Sequence, residues 1–167
     1  MKVRFLTLPA LAMLAMVLLN GCGGTANRDA DRIGELYGYM ESTIENEDIS
    51  GVMSLYSSGF FENGYSKTDV RNNFLDFFDA YHSINENITV RSVHISGNYA
   101  EVEISEWWEA TDASGVRRYV DPAIFVDIWR YENEDWYIYG NQQNAPGLKL
   151  SKPLRWSRAR AATAKTR

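Results

Sequence analysis

Cysteine is almost absent from this 167-residue chain, with Cys22 the single example. One thiol has no intramolecular partner, so no disulfide framework is available and the fold has to be held by packing. Histidine is nearly as scarce. Neither His82 nor His94 belongs to a cluster of His, Cys or carboxylate residues with metal-ligand spacing. A Gly-rich phosphate loop and a nucleophile elbow are also missing. Nothing in these patterns calls for a metal, a nucleotide or any other cofactor. Basic residues are few where the chain is longest: residues 23–144 hold all 22 acidic residues against 8 basic ones, a net charge of −14. Binding to nucleic acid requires a positive surface that displaces counterions from phosphate, and an acidic body argues against it. Length and a 45% hydrophobic content suit one domain with a real core.

Long apolar runs are limited to the N-terminus. Lys2 and Arg4 precede an apolar stretch, residues 5–19, which is too short to span a bilayer as a stable helix and reads as the middle of a secretory signal. The stretch closes on Leu19-Asn20-Gly21-Cys22, which resembles the bacterial lipobox; Asn20 is a less usual residue two places before the cysteine. The resemblance implies lipidation of Cys22 and a membrane anchor, with several acyl chains where one would hold only marginally. Gly23 rather than Asp after the cysteine implies the outer membrane, facing the periplasm. The alternative is an ordinary cleaved signal with an incidental cysteine. The expected organisation is a signal peptide over residues 1–22, a tether over 23–28, one domain over 29–144, and a basic, disordered tail over 145–167. That tail has 7 basic residues and no acidic one; it reads as solvated, or as an arm for an anionic surface.

Apolar residues Ile33, Leu36, Tyr37, Met40 and Ile44 recur at helical spacing, with Asn27 or Asp29 as a cap. Gly34 and Gly38 in that helix suggest close approach of another element. A short helix follows Asp48 and buries Val52, Met53 and Tyr56. The third begins at Ser66-Lys67-Thr68-Asp69, which resembles a capping box, and presents Val70, Phe74, Phe77, Phe78 and Tyr81 before ending at His82. An aromatic stripe of this kind reads as core rather than as a cofactor site.

Residues 88–143 carry four runs of β-branched and aromatic residues separated by short Gly, Asn or Asp turns, the pattern of an antiparallel meander. A turn at Gly97-Asn98 pairs Ile95 with Ala100, Val93 with Val102, Arg91 with Ile104 and Thr89 with Glu106. A turn over residues 112–115 pairs Trp108 with Tyr119, Glu106 with Asp121, Val102 with Phe125 and Ala100 with Asp127. A turn at Asn133-Glu134 pairs Tyr131 with Trp136, Trp129 with Ile138, Asp127 with Gly140 and Phe125 with Gln142. Together these give one face with Val93, Val102, Ile104, Trp108, Tyr119, Phe125, Trp129, Tyr131, Trp136 and Ile138, against which the helices should lie. Arg91, Glu106, Asp121, Asp127 and Gln142 are its polar exceptions, and so the expected place of a site. A bulge near Pro122 would reverse the alternation beyond it. The opposite face, around Val126, Ile128 and Tyr139, is apolar enough to suggest a homodimer contact.

Three helices followed by a curved meander, the link Glu45-Asn46-Glu47-Asp48 before Val52-Met53-Ser54-Leu55-Tyr56, and a last strand reading Trp136-Tyr137-Ile138-Tyr139-Gly140-Asn141-Gln142 resemble the nuclear transport factor 2-like (SnoaL-like) superfamily. The resemblance implies a cone-shaped α+β fold with an apolar pocket between helices and sheet. Its members include ketosteroid isomerase-like and dehydratase-like enzymes and many that only bind ligands. The residues support three readings. A non-catalytic pocket would hold a small apolar ligand among Arg91, Trp108, Tyr119, Phe125, Asp127, Trp129 and Gln142. An acid/base enzyme would use Glu106 and Asp121, each raising the other's pKa, as proton acceptor and donor; Arg91 beside Glu106 would instead make the pair a structural ion network. The third is an assembly role for the outer sheet face. If the lipobox reading holds, Cys22→Ala abolishes labelled palmitate incorporation and frees the protein from the membrane fraction, whereas undiminished incorporation contradicts it.

Overall fold

The computed structural model describes residues 23–143 and 165–166. Cys22, the signal segment, and the basic tail apart from its two residues at 165–166 lie outside the described residues. Helix starts are fixed by side chains that accept from amides with no partner in the first turn. Asp48 takes the N–H groups of Ser50 and Gly51, both at 3.0 Å, and opens α2 (Ile49–Ser54). Ser66 and Asp69 close the reciprocal capping box expected for α3 (Lys67–Ala80). The first helix, α1 (Gly23–Glu45), buries Ile33, Leu36, Tyr37, Met40 and Ile44 along one stripe, as their spacing requires. It runs through residues 23–28, where a tether was expected, because no proline stands there to stop it. Asp29 is accordingly inside the helix, and it accepts from the Trp136 indole N–H at 3.3 Å. Among the described residues no helix is long and apolar enough to cross a membrane.

Strands β1 (Phe61–Glu62) and β2 (Tyr65–Ser66) form a small hairpin about Asn63-Gly64, both at positive φ (48° and 94°) as the tightest turns demand. The main sheet is the expected antiparallel meander β3 (Tyr81–Ser96), β4 (Tyr99–Asp112), β5 (Arg117–Glu132) and β6 (Asp135–Ile138), with β7 (Lys165–Thr166) beside Arg118 and Tyr119 of β5. β3 starts at Tyr81, directly on the end of α3, so His82 belongs to a strand rather than to a helix end.

The register matches the expected one near the first and third turns, is offset by one residue from the second turn onward, and shifts again at irregularities within the strands. Val93 faces Val102 and Ile95 faces Ala100 as expected, but a shift at Arg91 brings Val90 opposite Ile104 and Ile88 opposite Glu106. The pairs Trp129–Ile138 and Tyr131–Trp136 hold. Between β4 and β5 the expected pairs do not form. Trp108 lies opposite Val120, because the turn itself sets the register one residue from that expected, with Thr111 facing Arg117. Asp121 and Pro122 then together oppose the single residue Trp107, which places Glu106 opposite Ala123, Val102 opposite Asp127 and Ala100 opposite Trp129. Proline has no N–H to give the ladder, so this is where the pairing yields.

The core fills the space between α1, α2 and the inner sheet face, with Trp129, Val102, Ile104, Val52 and Met40 fully buried. α1 also serves the sheet's end strand: Glu45 accepts from the amide of Glu86 at 3.3 Å, and Glu41 from that of Ile88. At the surface Arg32 forks onto both carboxylate oxygens of Asp135 at 3.0 and 2.7 Å, and these hydrogen bonds hold the Asp135 carboxyl below its usual range. On the outer face Ile128 is buried, Arg130 stacks on Tyr139 at 4.1 Å, and Ile124 is 56% exposed.

Gly34 and Gly38 meet nothing within 4 Å of a built Cβ, so close approach is not what keeps them glycine. Gly34→Ala and Gly38→Ala should each stabilise the fold by about 0.5–1 kcal/mol in denaturant unfolding. Gly140 behaves oppositely: its φ is 76° and a Cβ would lie 2.5 Å from the Phe61 carbonyl oxygen. Gly140→Ala should cost at least about 1–3 kcal/mol. Equal effects at all three positions would contradict this packing.

Candidate functional site: an acidic, aromatic-walled cavity

A cavity of about 580 Å³ opens between α3 and the inner face of the sheet. Its aromatic wall follows from the spacing of α3. Phe74 and Phe77 stand one turn apart on the same helix face, and Phe77 packs edge-on against Trp108 of β4 at 5.0 Å and near Tyr81 at 5.2 Å. Tyr56 and Phe60, paired edge-on at 5.0 Å in the segment after α2, add a second aromatic corner. No residue of α3 is fully buried, and Phe74, Phe77 and Phe78 are half-buried. The stripe expected to fill the core instead packs against the core's margin and walls the cavity.

The polar lining is set by the sheet. Glu86 of β3, Glu106 of β4 and Asp127 of β5 point inward from three neighbouring strands, and Glu62 of β1 joins them from the small hairpin. Asp127 is 2% exposed, and Glu62 and Glu86 are each 6% exposed. Asp76 and Asn73 of α3 complete the polar contribution apart from tyrosine hydroxyls. Among the described residues no Lys, Arg or His lines the cavity. Lys67, at the start of α3, donates to the Tyr56 carbonyl, and burial pushes its ammonium pKa down from the ordinary value. Among the described residues no group of three or more His, Cys, Asp and Glu is placed to hold a metal ion.

Asp127 is oriented from α1. The Tyr37 hydroxyl donates to Asp127 Oδ2 at 2.7 Å and accepts from the Trp129 indole N–H at 2.9 Å, and the two rings meet edge-on at 5.1 Å. A buried carboxylate needs such donors, since losing water without replacement is costly. Tyr37 was legible as a core residue of the α1 stripe, but its hydroxyl's role was not, because the partner lies 90 residues away.

The expected site residues divide. Glu106, Trp108, Phe125 and Asp127 line the cavity. Trp129 is on the inner face but deeper, in the core beneath α1. Asp121 and Tyr119 are not in the cavity: on the turn side of the bulge the inward residue is Val120, Asp121 is exposed, and Tyr119 packs on Trp107 at 6.0 Å. The expected Glu106–Asp121 pair therefore does not form. Arg91, at the first irregularity, is exposed and bridges Glu103 at 3.2 Å rather than approaching Glu106. Gln142 is buried outside the cavity lining. Its amide N–H groups donate to the carbonyls of Gly59 at 3.2 Å and Tyr139 at 2.7 Å, tying the segment after β6 to the loop after α2. Ala123 and Glu86 are cavity residues that alternation from the turns did not reach, since each lies beyond an irregularity, and Val120 was missed because the second turn sets the register one residue from that expected.

No family model matches the chain, and no curated protein matches it. Solved structures do. A protein of unknown function from Mycobacterium tuberculosis superposes with a TM-score of 0.62 at 15% identity, covering 72% of this chain and 73% of that one. A protein assigned as a scytalone dehydratase from Novosphingobium aromaticivorans gives 0.62 at 6% identity, with coverage of 70% and 83%. A protein of the NTF2-like family from Streptomyces avermitilis, assigned as a dehydratase, gives 0.54 at 15% identity, with coverage of 68% and 94%. The chain has the NTF2-like cone fold, an α+β architecture in which helices cover a curled four-strand antiparallel sheet.

Replacing Tyr37 with Phe removes the hydroxyl shared by Asp127 and Trp129 and should cost about 1–3 kcal/mol in denaturant unfolding. Unchanged stability would show that the hydrogen-bond chain is not holding Asp127.

Proposed function

We propose that this domain is a binding module that takes a small organic molecule into the cavity between α3 and the sheet, and that Cys22 anchors it by lipid to the outer membrane, facing the periplasm. The observation that carries the binding reading is the cavity itself. About 580 Å³, walled by aromatic rings with a few convergent polar groups, falls in the range that encloses small ligands. The membrane address rests on the first two dozen residues, through the signal segment and its terminal cysteine.

The alternative, an isomerase-like or dehydratase-like acid/base enzyme, draws support from the dehydratase assignments among proteins of like fold. It was built on Glu106 working with Asp121, and those two carboxyls lie on opposite sides of the sheet. A binding role needs no such pair. Pairing of two copies through the outer sheet face is a further proposal, favoured by the exposure of Ile124.

Native mass spectrometry of the purified protein tests the binding reading. A non-covalent mass of small-molecule size should accompany the wild-type chain and be lost when Ala123→Trp fills the cavity, with the melting temperature unchanged or raised. The same adduct on both proteins, or none on the wild type, contradicts it.

A further inference from the structure

We infer that the cavity selects an organic cation, a hydrophobic amine or quaternary ammonium compound, over neutral or anionic molecules of the same size. The inference rests on the binding reading above and specifies its ligand class. Its first support is the sign of the charge that an enclosed ligand would meet. The ionisable lining groups other than tyrosine are carboxyls, reaching the cavity from three strands, the small hairpin and α3. A cavity for a carboxylate or phosphate would need a cation or a donor set to receive it, and among the described residues no Lys, Arg or His lines this one. Gathering carboxylates around a low-dielectric space is unfavourable in their ionised form, and a ligand bearing positive charge offsets that cost where a neutral one does not.

The second support is independent of the acids. Tyr56, Phe60, Phe74, Phe77, Tyr81 and Trp108 present rings around the same volume, and ring faces attract cations while rejecting hydrated anions. An organic cation uses both features at once, its charge facing the carboxyls and its carbon framework the rings. The geometry suits a diffuse ammonium better than a bare metal ion, since the carboxyls do not converge on one point among the described residues. At longer range the −14 charge of residues 23–144 favours cation encounter.

Ligand-observed NMR on the full chain, with benzyltrimethylammonium, 3-phenylpropanol and 3-phenylpropionate as size-matched probes, tests the assignment. The ammonium should bind about tenfold or more tightly than the alcohol, and the carboxylate should not bind measurably. Glu106→Gln and Glu86→Gln should each weaken the ammonium roughly three- to tenfold and leave the alcohol unchanged. Two variants are used so that one failure to fold, judged by circular dichroism, leaves the other. Equal binding of alcohol and ammonium, unaffected by either variant, overturns the cation assignment and leaves the binding cavity standing. No binding by any probe overturns both.

Discussion

The pairing of β4 with β5 breaks opposite Trp107, and the composition of the cavity follows from that break. Two residues, Asp121 and Pro122, face one, so the strand's alternation reverses along its length. On the far side, Ala123, Phe125, Asp127 and Trp129 point toward the helices. On the near side Val120 does, and Tyr119 and Asp121 do not. Continuing the turn-side register without the break would bring Pro122 opposite Glu106 and turn Ile124, Val126 and Ile128 toward the helices. Asp121 is turned to water by the register on the turn side of the break, and the bulge leaves small Ala123 rather than Pro122 opposite Glu106.

The remaining inward carboxyls need support that the sheet alone does not give, and α1 supplies part of it. Tyr37 serves Asp127 while receiving the Trp129 indole, so one amphipathic ring joins a helix to two positions of one strand. Glu41 and Glu45 meet amides of β3 from the same helix. The helix thus does more than cover apolar surface, since it fixes the strands whose side chains form the cavity. α3 stands off from the core, which leaves its rings free to form a wall.

Much of the fold could be read from local pattern. The α1 stripe, the Asp48 cap, the Ser66–Asp69 box and the turns at Gly97-Asn98 and Asn133-Glu134 are local features, and the hydrophobic periodicity agreed with them. The site was less legible because it depends on the exact length of the turn after β4 and on irregularities inside β3 and β5. Trp129–Ile138, four residues from its turn, was reached correctly. Glu106–Asp121 was not, because the turn after β4 sets the register one residue from that expected and the bulge at Asp121-Pro122 adds a second step. Arg91 failed at the first shift in β3. Gln142 followed from extending β6 past Ile138, where Gly140 with positive φ ends the strand. Glu62, contributed by a two-residue strand, carried no periodic signal at all.

The account depends most on the direction of two adjacent side chains, Val120 inward and Asp121 outward. Thiol labelling decides this most directly, because Cys22 is the sole native cysteine and Cys22→Ser provides a silent background. Val120→Cys and Asp121→Cys are each treated with a polymer-tethered maleimide too large to enter the cavity. Fast modification at 121 and slow modification at 120 is the predicted result, and the reverse order would contradict the β4–β5 register and the cavity built on it.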